Sequence, residues 1–394
     1  LMKKTLIAIA ALAATGAFAQ STVTIDGVVD AGYVSYDMKG AKVGGIDRNL
    51  TTTSQFNFRV ASDLGGGLKA TWRSETDFVV TSNGANQGTI ANGVTGQATG
   101  PGNGGNGAGA TGLTNGTPSA FMNGEQELAL AGGFGRVGFG AINNTALTAH
   151  GYSQPFGTAI GSGFGVTSGS AVTASVRNDN TLQYTSPVFA GGLKVNFINR
   201  KAQTGSALSN SSNYNAGLGA QQQASVNSLA ALYNAGPINF VATRDIQDAT
   251  GVNGITSGTG VAAAGKRGTF TALAANYNFG AWTAYAGWQT NKNVTAAGLT
   301  DADRSTTTLA AQYVMGVNTF MASSQRANNS LAATTSSLLG LGYEYALSKT
   351  AAVTARYERI ADQAGFANVA AAGYLATAGN NDRTRMGVGL RVGF

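Results

Sequence analysis

Along most of this chain apolar and polar residues alternate one by one. Between Arg383 and Phe394, Met386, Val388, Leu390, Val392 and Phe394 fall on one face, with Arg383, Arg385, Gly387, Gly389, Arg391 and Gly393 on the other. A period of two describes a strand with one dry face and one wet face. The same rhythm sets Val23, Ile25, Val29, Ala31 and Tyr33 against Thr24, Asp26, Val28 and Asp30, and Phe56, Phe58 and Val60 against Asn57, Arg59 and Ala61. It sets Leu68, Ala70, Trp72 and Phe78 against Lys69, Thr71, Arg73, Glu75 and Asp77. Later units repeat it: Leu128 and Leu130 oppose Glu127, Val137 and Phe139 oppose Arg136, Leu193 and Val195 oppose Lys194, and Val353 and Tyr357 oppose Arg356 and Glu358. Carried to the end of the chain, the pattern predicts sixteen strands.

The connections alternate in length. Short ones fall at 65–67, 132–135, 190–192, 236–237, 280–281, 316 and 348–350; long ones fall at 37–51, 82–120, 143–178, 202–222, 249–266, 293–303, 327–335 and 361–381. Short turns at one end and long loops at the other are how a transmembrane barrel meets its two sides. A soluble sandwich would need its apolar faces to meet each other, and a solenoid would need a fixed short repeat; neither is evident. A sheet crosses lipid only when it closes on itself, because an open edge leaves backbone groups unpaired in hydrocarbon. The expected fold is therefore all-β, a closed transmembrane antiparallel β-barrel of 16 strands.

Composition agrees with one large β-structure rather than several compact cores. Gly numbers 57 of 394 residues, Pro 5, and charged residues are 11 %. The first residues, LMKKTLIAIAALAATGAFAQ, carry Lys3 and Lys4, a short apolar run and Ala17-Phe18-Ala19. They are expected to be a signal peptide over 1–19, leaving a single barrel over 20–394. That run is too short for a membrane helix of roughly twenty residues. The formal charge is +7, including those two lysines, and no Lys/Arg-rich run exists, which argues against nucleic acid as a partner. With no cysteine and one histidine, neither a disulfide scaffold nor a thiolate metal site is available, and no cofactor or metal is expected.

The segments VTIDGVVDAGYVSY, SDLGGGLKATWRSETDF, GFGRVGFG, NTLQYTSPVFAGGLKV and GVGLRVGF, in this order and spacing, resemble the general porins of Gram-negative bacteria, in their betaproteobacterial and neisserial branch. The resemblance implies a homotrimer in the cell outer membrane, in contact with outer-membrane lipid and lipopolysaccharide, through which small hydrophilic solutes and ions diffuse passively. It implies that Phe394 belongs to the signal read by the barrel-insertion machinery. It also implies that the long third loop folds into the lumen and narrows it. Here that loop holds no charge between Arg136 and Arg177, His150 apart, and Gln154 stands where relatives often place an acid.

By the two-residue period, Arg59, Lys69, Arg73, Arg136, Lys194, Arg200, Arg356, Arg383, Arg385 and Arg391 point away from lipid, and Arg177 stands where the third loop rejoins the wall. Arg59 and Arg177 are expected nearest the constriction, since their flanking motifs match family positions that carry pore arginines. The lumenal acids are Asp26, Asp30, Glu75, Asp77, Glu125, Glu127, Glu344 and Glu358. These charges either pair across strands and keep the lumen wet, or set its potential. Summed, basic walls and a loop without acids predict a weak anion preference, against which Glu125 and Glu127 work.

Other features bear on competing functions. Gly133 to Gly138 fits G-x-G-x-x-G but leads into a strand, so no helix N-terminus would face a pyrophosphate. Tyr152, Phe156 and Phe164 could hold a small anionic or sugar solute in a substrate-specific channel. His150 and Ser153 are the only pair that hints at a hydrolase, and no acid in their loop would orient the imidazole. Trp72, Trp282, Trp288, Tyr343, Tyr345 and Tyr357 are expected in interfacial girdles.

Overall fold

The computed structural model describes residues 21–38, 41–78, 80, 122, 124–164, 177–201, 225–248, 261–262, 267–296, 299–329, 334–362 and 382–394. The expected signal peptide and the greater part of the long connections lie outside these residues. The strand segments are β1 (Thr22–Met38), β2 (Ala41–Arg48), β3 (Gln55–Gly65), β4 (Leu68–Asp77), β5 (Gln126–Gly132), β6 (Gly135–Asn143), β7 (Arg177–Thr185), β8 (Leu193–Arg200) and β9 (Ser225–Ala235). They continue as β10 (Ile238–Asp248), β11 (Val261–Ala262), β12 (Arg267–Asn278), β13 (Trp282–Ala296), β14 (Leu299–Met315), β15 (Asn318–Asn329), β16 (Thr334–Ala346), β17 (Ala351–Asp362) and β18 (Arg383–Gly393). One helix, α1 (Thr145–Ser153), follows β6. It is too short and too polar to cross a membrane, and no other described helix could do so.

All the strand segments belong to one antiparallel sheet. β2 and β3 are two halves of a single wall strand, both paired with β1, and β11 is a two-residue addition beside β13. The wall thus has sixteen strands, as the alternation predicts. The sheet closes where β1 meets β18, in a register running from Val28 opposite Gly393 to Met38 opposite Arg383. Gly27 N donates to Phe394 O at 3.0 Å and Phe394 N donates to Gly27 O at 3.0 Å, so pairing continues to the last residue. Closure removes the row of unpaired backbone groups that hydrocarbon would penalise by several kcal/mol each.

The two faces of the wall are chemically opposite. Val23, Ile25, Leu128, Phe139, Leu229, Leu273, Leu309, Leu341 and Val388 are exposed on the outside, while Asn57, Glu75, Glu127, Thr181, Thr243, Gln325 and Glu358 are buried on the inside. Such an inversion is stable only when the outer solvent is lipid. At the short-turn end, outward aromatics meet across strands: Trp282 and Tyr313 stacked with centroids 4.5 Å apart, and Phe320 and Tyr343 tilted at 5.2 Å. These rings occupy the interfacial girdle, where one edge of each can meet headgroups. Residues 133–134 form the tight turn between β5 and β6, so the glycine-rich stretch opens a strand.

Two expectations need correction. The stretch 37–51 is not a long connection: β2 pairs with the upper half of β1, from Met38 opposite Ala41 to Ala31 opposite Arg48. Its sequence, AKVGGIDR, lacks the alternation that betrays the other strands. Likewise 293–303 is largely strand, since β13 runs to Ala296 and β14 begins at Leu299. Hairpins that rise past the lipid keep their backbone pairing without needing an apolar face, so periodicity cannot report them. Asp30, an inward acid as expected, is engaged by the backbone. Its carboxylate accepts from Leu50 N at 2.9 Å, Thr51 N at 2.8 Å and Thr52 N at 3.2 Å, satisfying the backbone where the wall strand breaks between β2 and β3.

Candidate functional site

The site is the inner wall together with residues 144–164, the described part of the third long connection. Asn144 begins it as the N-cap of α1, accepting a hydrogen bond from Leu147 N at 3.2 Å. One face of α1 is small: Ala146 and Ala149 pack on Val241, Phe270, Ala272 and Ala274, which point inward from β10 and β12. The Thr145 hydroxyl lies 3.0 Å from Ser228 Oγ and also contacts Thr243 Oγ1. Ser228 and Thr243 both donate to Asp245, at 2.5 and 3.3 Å. Tyr152 donates from its hydroxyl to Asn234 at 2.6 Å.

Beyond α1 the chain folds on itself. Gln154 is buried; its amide donates to Gly157 O at 2.8 Å and accepts from Phe156 N at 2.5 Å. It therefore staples the segment internally and offers no group to the water column. His150 Nε2 lies 2.8 Å from Gly157 O, and its ring sits 5.0 Å from that of Phe164. Full burial holds the imidazole down at about 4, so it is neutral near pH 7. Ser153 donates to His150 O at 2.7 Å, a backbone contact, so its hydroxyl is not held by the imidazole.

The far end of the segment reaches the opposite group of strands. Gly161 N donates to Glu358 Oε2 at 3.0 Å, Ser323 Oγ donates to Gly161 O at 2.9 Å, and Gln325 Nε2 donates to Ser162 O at 2.6 Å. Ile160 packs with Val34, Tyr36 and Leu50. Two wall glycines make this approach possible. A Cβ on Gly340 would collide with Gly161 O, and one on Gly342 would stand 2.9 Å from Phe156 Cε1. Residues 144–164 thus touch inward-pointing groups of β9, β10, β12, β15, β17 and β1.

Two clusters of arginine and carboxylate line the wall. The first joins β1 and β3 to β7. Arg59 lies 2.5 Å from Asp26; Arg73 bonds Glu75 at 2.8 Å and also Glu125; Arg136 pairs with Glu127; and Arg177 reaches Glu75 at 2.5 Å and Asp77 at 3.4 Å. The layering is uneven. The Arg73 and Arg136 side chains are 30 % and 33 % exposed, whereas Glu75, Glu125 and Glu127 are 5 %, 10 % and 8 % exposed. In the Arg73 and Arg136 pairs the arginine is the more exposed partner, whereas Arg177 is nearly as covered as its acids. Glu125 and Glu127, expected to oppose anion preference, lie beneath arginines.

The second cluster joins β16 to β18. Arg356 pairs with Glu344 and lies 5.1 Å over the Phe156 ring, and Arg383 and Arg385 reach Glu358 at 3.2 and 2.8 Å. Arg391 reaches Glu344 at 3.4 Å. Of the remaining sequence-predicted residues, Lys69 is exposed and Lys194 half-buried near the short-turn end, neither with an ion pair among the described residues. Phe394 is exposed on the outer face. Sequence reasoning did not find Thr145, Ser228 and Thr243; the signal available was hydroxyls at inward positions of two neighbouring strands. Among the described residues no cluster of three or more His, Asp or Glu could hold a metal ion.

A closed antiparallel sheet with an apolar exterior and a charged interior defines a membrane-spanning β-barrel. Residues 5–365 match the family model of the Gram-negative porins, and the chain belongs to that family. Its place is the cell outer membrane. It is 50 % identical over 72 residues to outer membrane porin protein 32 of Delftia acidovorans, a stretch covering 18 % of this chain and 20 % of that one. It is 28 % identical over 209 residues to an outer membrane porin protein of Bordetella pertussis, covering 48 % and 46 %. The aligned stretches thus span less than half the length of these relatives. Among solved structures, the anion-selective porin from Comamonas acidovorans superposes with a TM-score of 0.67 at 21 % identity, over 95 % of this chain and 100 % of that one. In-vitro folded OmpT of Vibrio cholerae superposes with a TM-score of 0.58 at 12 % identity, over 95 % and 98 %. These likenesses establish the fold.

Proposed function

We propose that the protein is a passive diffusion channel for small hydrophilic solutes and ions, with a weak preference for anions. The observation that carries this reading is the layering within the first cluster, in which Glu75, Glu125 and Glu127 are less exposed than the Arg73 and Arg136 that pair with them. Fixed charge in a narrow channel with low-dielectric walls enriches counter-ions, and the charge nearest the water counts most. Residues 144–164 narrow the lumen, and Arg59, Arg73, Arg136 and Arg177 stand as the cationic side of the constriction. Lys69 and Lys194 add positive charge toward the short-turn mouth. Residues 1–19 act as the export signal, and Phe394 as part of the insertion signal.

The protein works as a homotrimer. The outward faces of β18, β1 and β3 to β5 carry Met386, Val388, Leu390, Val23, Ile25, Phe56, Phe58 and Leu128, an apolar sector suited to contact between copies. A channel specific for one anionic or sugar solute is the less favoured reading. Tyr152, Phe156 and Phe164, which such a site would use, are engaged in packing within the segment or against the wall.

The test is single-channel recording from purified protein in a neutral bilayer. Conductance that rises linearly with salt and closes in three equal steps supports the reading. Saturable block by one solute class, or no channel at all, overturns it.

A further inference from the structure

Two carboxamides of the inner wall are buried with their donors unmade. Gln289 and Asn291 alternate inward on β13 and are 7 % and 1 % exposed. Among the described residues, Gln289 Nε2 and both Nδ2 and Oδ1 of Asn291 meet no hydrogen-bond partner. Either orientation of the Asn291 amide therefore leaves an N–H unpaired. Buried donors are nearly always satisfied by protein, by water or by a bound group, so this place calls for an occupant.

The strands on either side fix its surroundings. On β14, Thr306 stands opposite Gln289 and Arg304 opposite Asn291, and both are buried. On β12, Ala272 and Phe270 stand opposite the same two residues and give that side an apolar edge. Side chains directly opposed across a pair of strands start about 5 Å apart, so Arg304 and the two carboxamides border one space. The segment 144–164 meets the wall one inward step nearer the short-turn end. There a Cβ on Gly287 would stand 2.4 Å from Ser153 Cβ, and Gln325, opposite Thr308, donates to Ser162 O. With its polar walls nine-tenths buried, the space lies beside the open water column and not in it.

What borders it is a set of N–H donors next to a cation. The strands β12, β13 and β15 contain no acid, Asp303 of β14 alternates to the other face from Arg304, and residues 144–164 contain no acid. Asp245, on β10 beyond Phe270, is held by Ser228 and Thr243. Amide and guanidinium N–H groups gathered without a carboxylate stabilise a negative charge, and low-dielectric surroundings strengthen each contact. A water molecule must place its own two protons as well as accept, whereas a halide accepts from every side. Burial this complete favours a bare monatomic anion over a hydrated solute.

We propose that Gln289 and Asn291, beside Arg304, hold a resident halide ion at a site separate from the two arginine clusters. The proposal goes beyond the channel reading: this ion is held and not conducted, and it steadies the wall next to the row on which the 144–164 segment rests.

The experiment uses the full-length folded protein in neutral detergent, with bromide as the probe. Anomalous difference maps from bromide-soaked crystals are expected to show an ion against Gln289 Nε2 and Asn291 Nδ2. In solution, the unfolding temperature of the wild type should rise by about 2 °C or more when bromide replaces gluconate at constant ionic strength. Asn291→Asp, which supplies a fixed negative charge in the same shape, should lose both that rise and the bromide peak. Water alone at the site, bromide bound at crystal concentration only, or an undiminished rise in Asn291→Asp overturns the proposal. If Asn291→Asp does not fold, Gln289→Met, which keeps the volume and drops the donor, is judged by the same two readouts. Single-channel recording of the wild type stands apart, since a protein that binds bromide and forms no channel strikes the channel reading alone.

Discussion

The two arginine clusters of the inner wall use the same chemistry for different ends. In the β3–β7 cluster the Arg73 and Arg136 side chains are about a third exposed and their carboxylate partners 10 % or less. In the β16–β18 cluster, Arg356, Arg383 and Arg385 are 2 %, 6 % and 3 % exposed, and Glu358 is fully buried. The difference follows from what lies over them. Phe156 and Gly161 of the 144–164 segment lie against Arg356 and Glu358 of the second cluster, whereas Arg73 and Arg136 of the first are left partly open. An open pair projects a potential into the channel, and a covered pair holds a loop in place. A charge census of the lumen would treat the two alike.

The comparison is broken most severely at Glu358. Replacing it by Gln leaves Arg383 and Arg385 buried without their shared counter-charge and weakens the acceptor for Gly161 N. Losing one partner of a buried ion pair costs about 3 kcal/mol or more. The expected result is a lowered unfolding temperature and a noisier open-channel current, with the sign of ion selectivity kept. Next comes Gly340→Val, which drives a side chain into Gly161 O and should displace the tip of the segment. The current noise should again rise, and the wall itself should remain folded by circular dichroism.

Arg73→Glu acts on the other cluster. It places an acid beside Glu75 and Glu125 at the water-facing layer, and the anion-to-cation permeability ratio should fall by about fivefold or more. Arg383→Gln, in the covered cluster, should leave that ratio nearly unchanged while lowering stability. A smaller effect belongs to His150. Its folded pKa is depressed from 6.5 to about 4, so the unfolded chain takes up a proton first as pH falls. The stability that neutral His150 supports is complete above about 6.5 and is lost as pH drops toward 4. His150→Gln should flatten that part of the stability profile. Lys69→Gln, near the mouth, should shift selectivity least.

Much of this was legible in the chain because lipid imposes a strict rule. Wherever a strand crosses hydrocarbon, one residue in two must be apolar, and the rows at Val23 to Tyr33 or Met386 to Phe394 report it directly. Where the rule lapses, reading fails. β2 and the tops of β13 and β14 are strands paired through the backbone without an alternating apolar face, and their composition resembles a loop. Burial depth was also hidden. Alternation gives the inward direction of Arg73, Glu75 and Arg356, but not that Glu75 lies under Arg73 or that residues 144–164 cover Arg356. Gln154 shows the same limit: its position in the third connection was clear, and its engagement with the segment's own backbone was not. The close approach that needs Gly340 bare involves Gly161, far away in sequence, and no local pattern announces it.

The central claim is that the open cluster, by presenting arginine to water and carboxylate to the wall, makes the lumen positive. Its most direct test is the zero-current potential across a planar bilayer holding the purified protein in a tenfold gradient of potassium chloride near pH 7. The account predicts a potential of the sign given by chloride crossing faster than potassium, abolished or reversed in Arg73→Glu and retained in Arg383→Gln. A wild-type potential of the opposite sign, set by potassium, would contradict it.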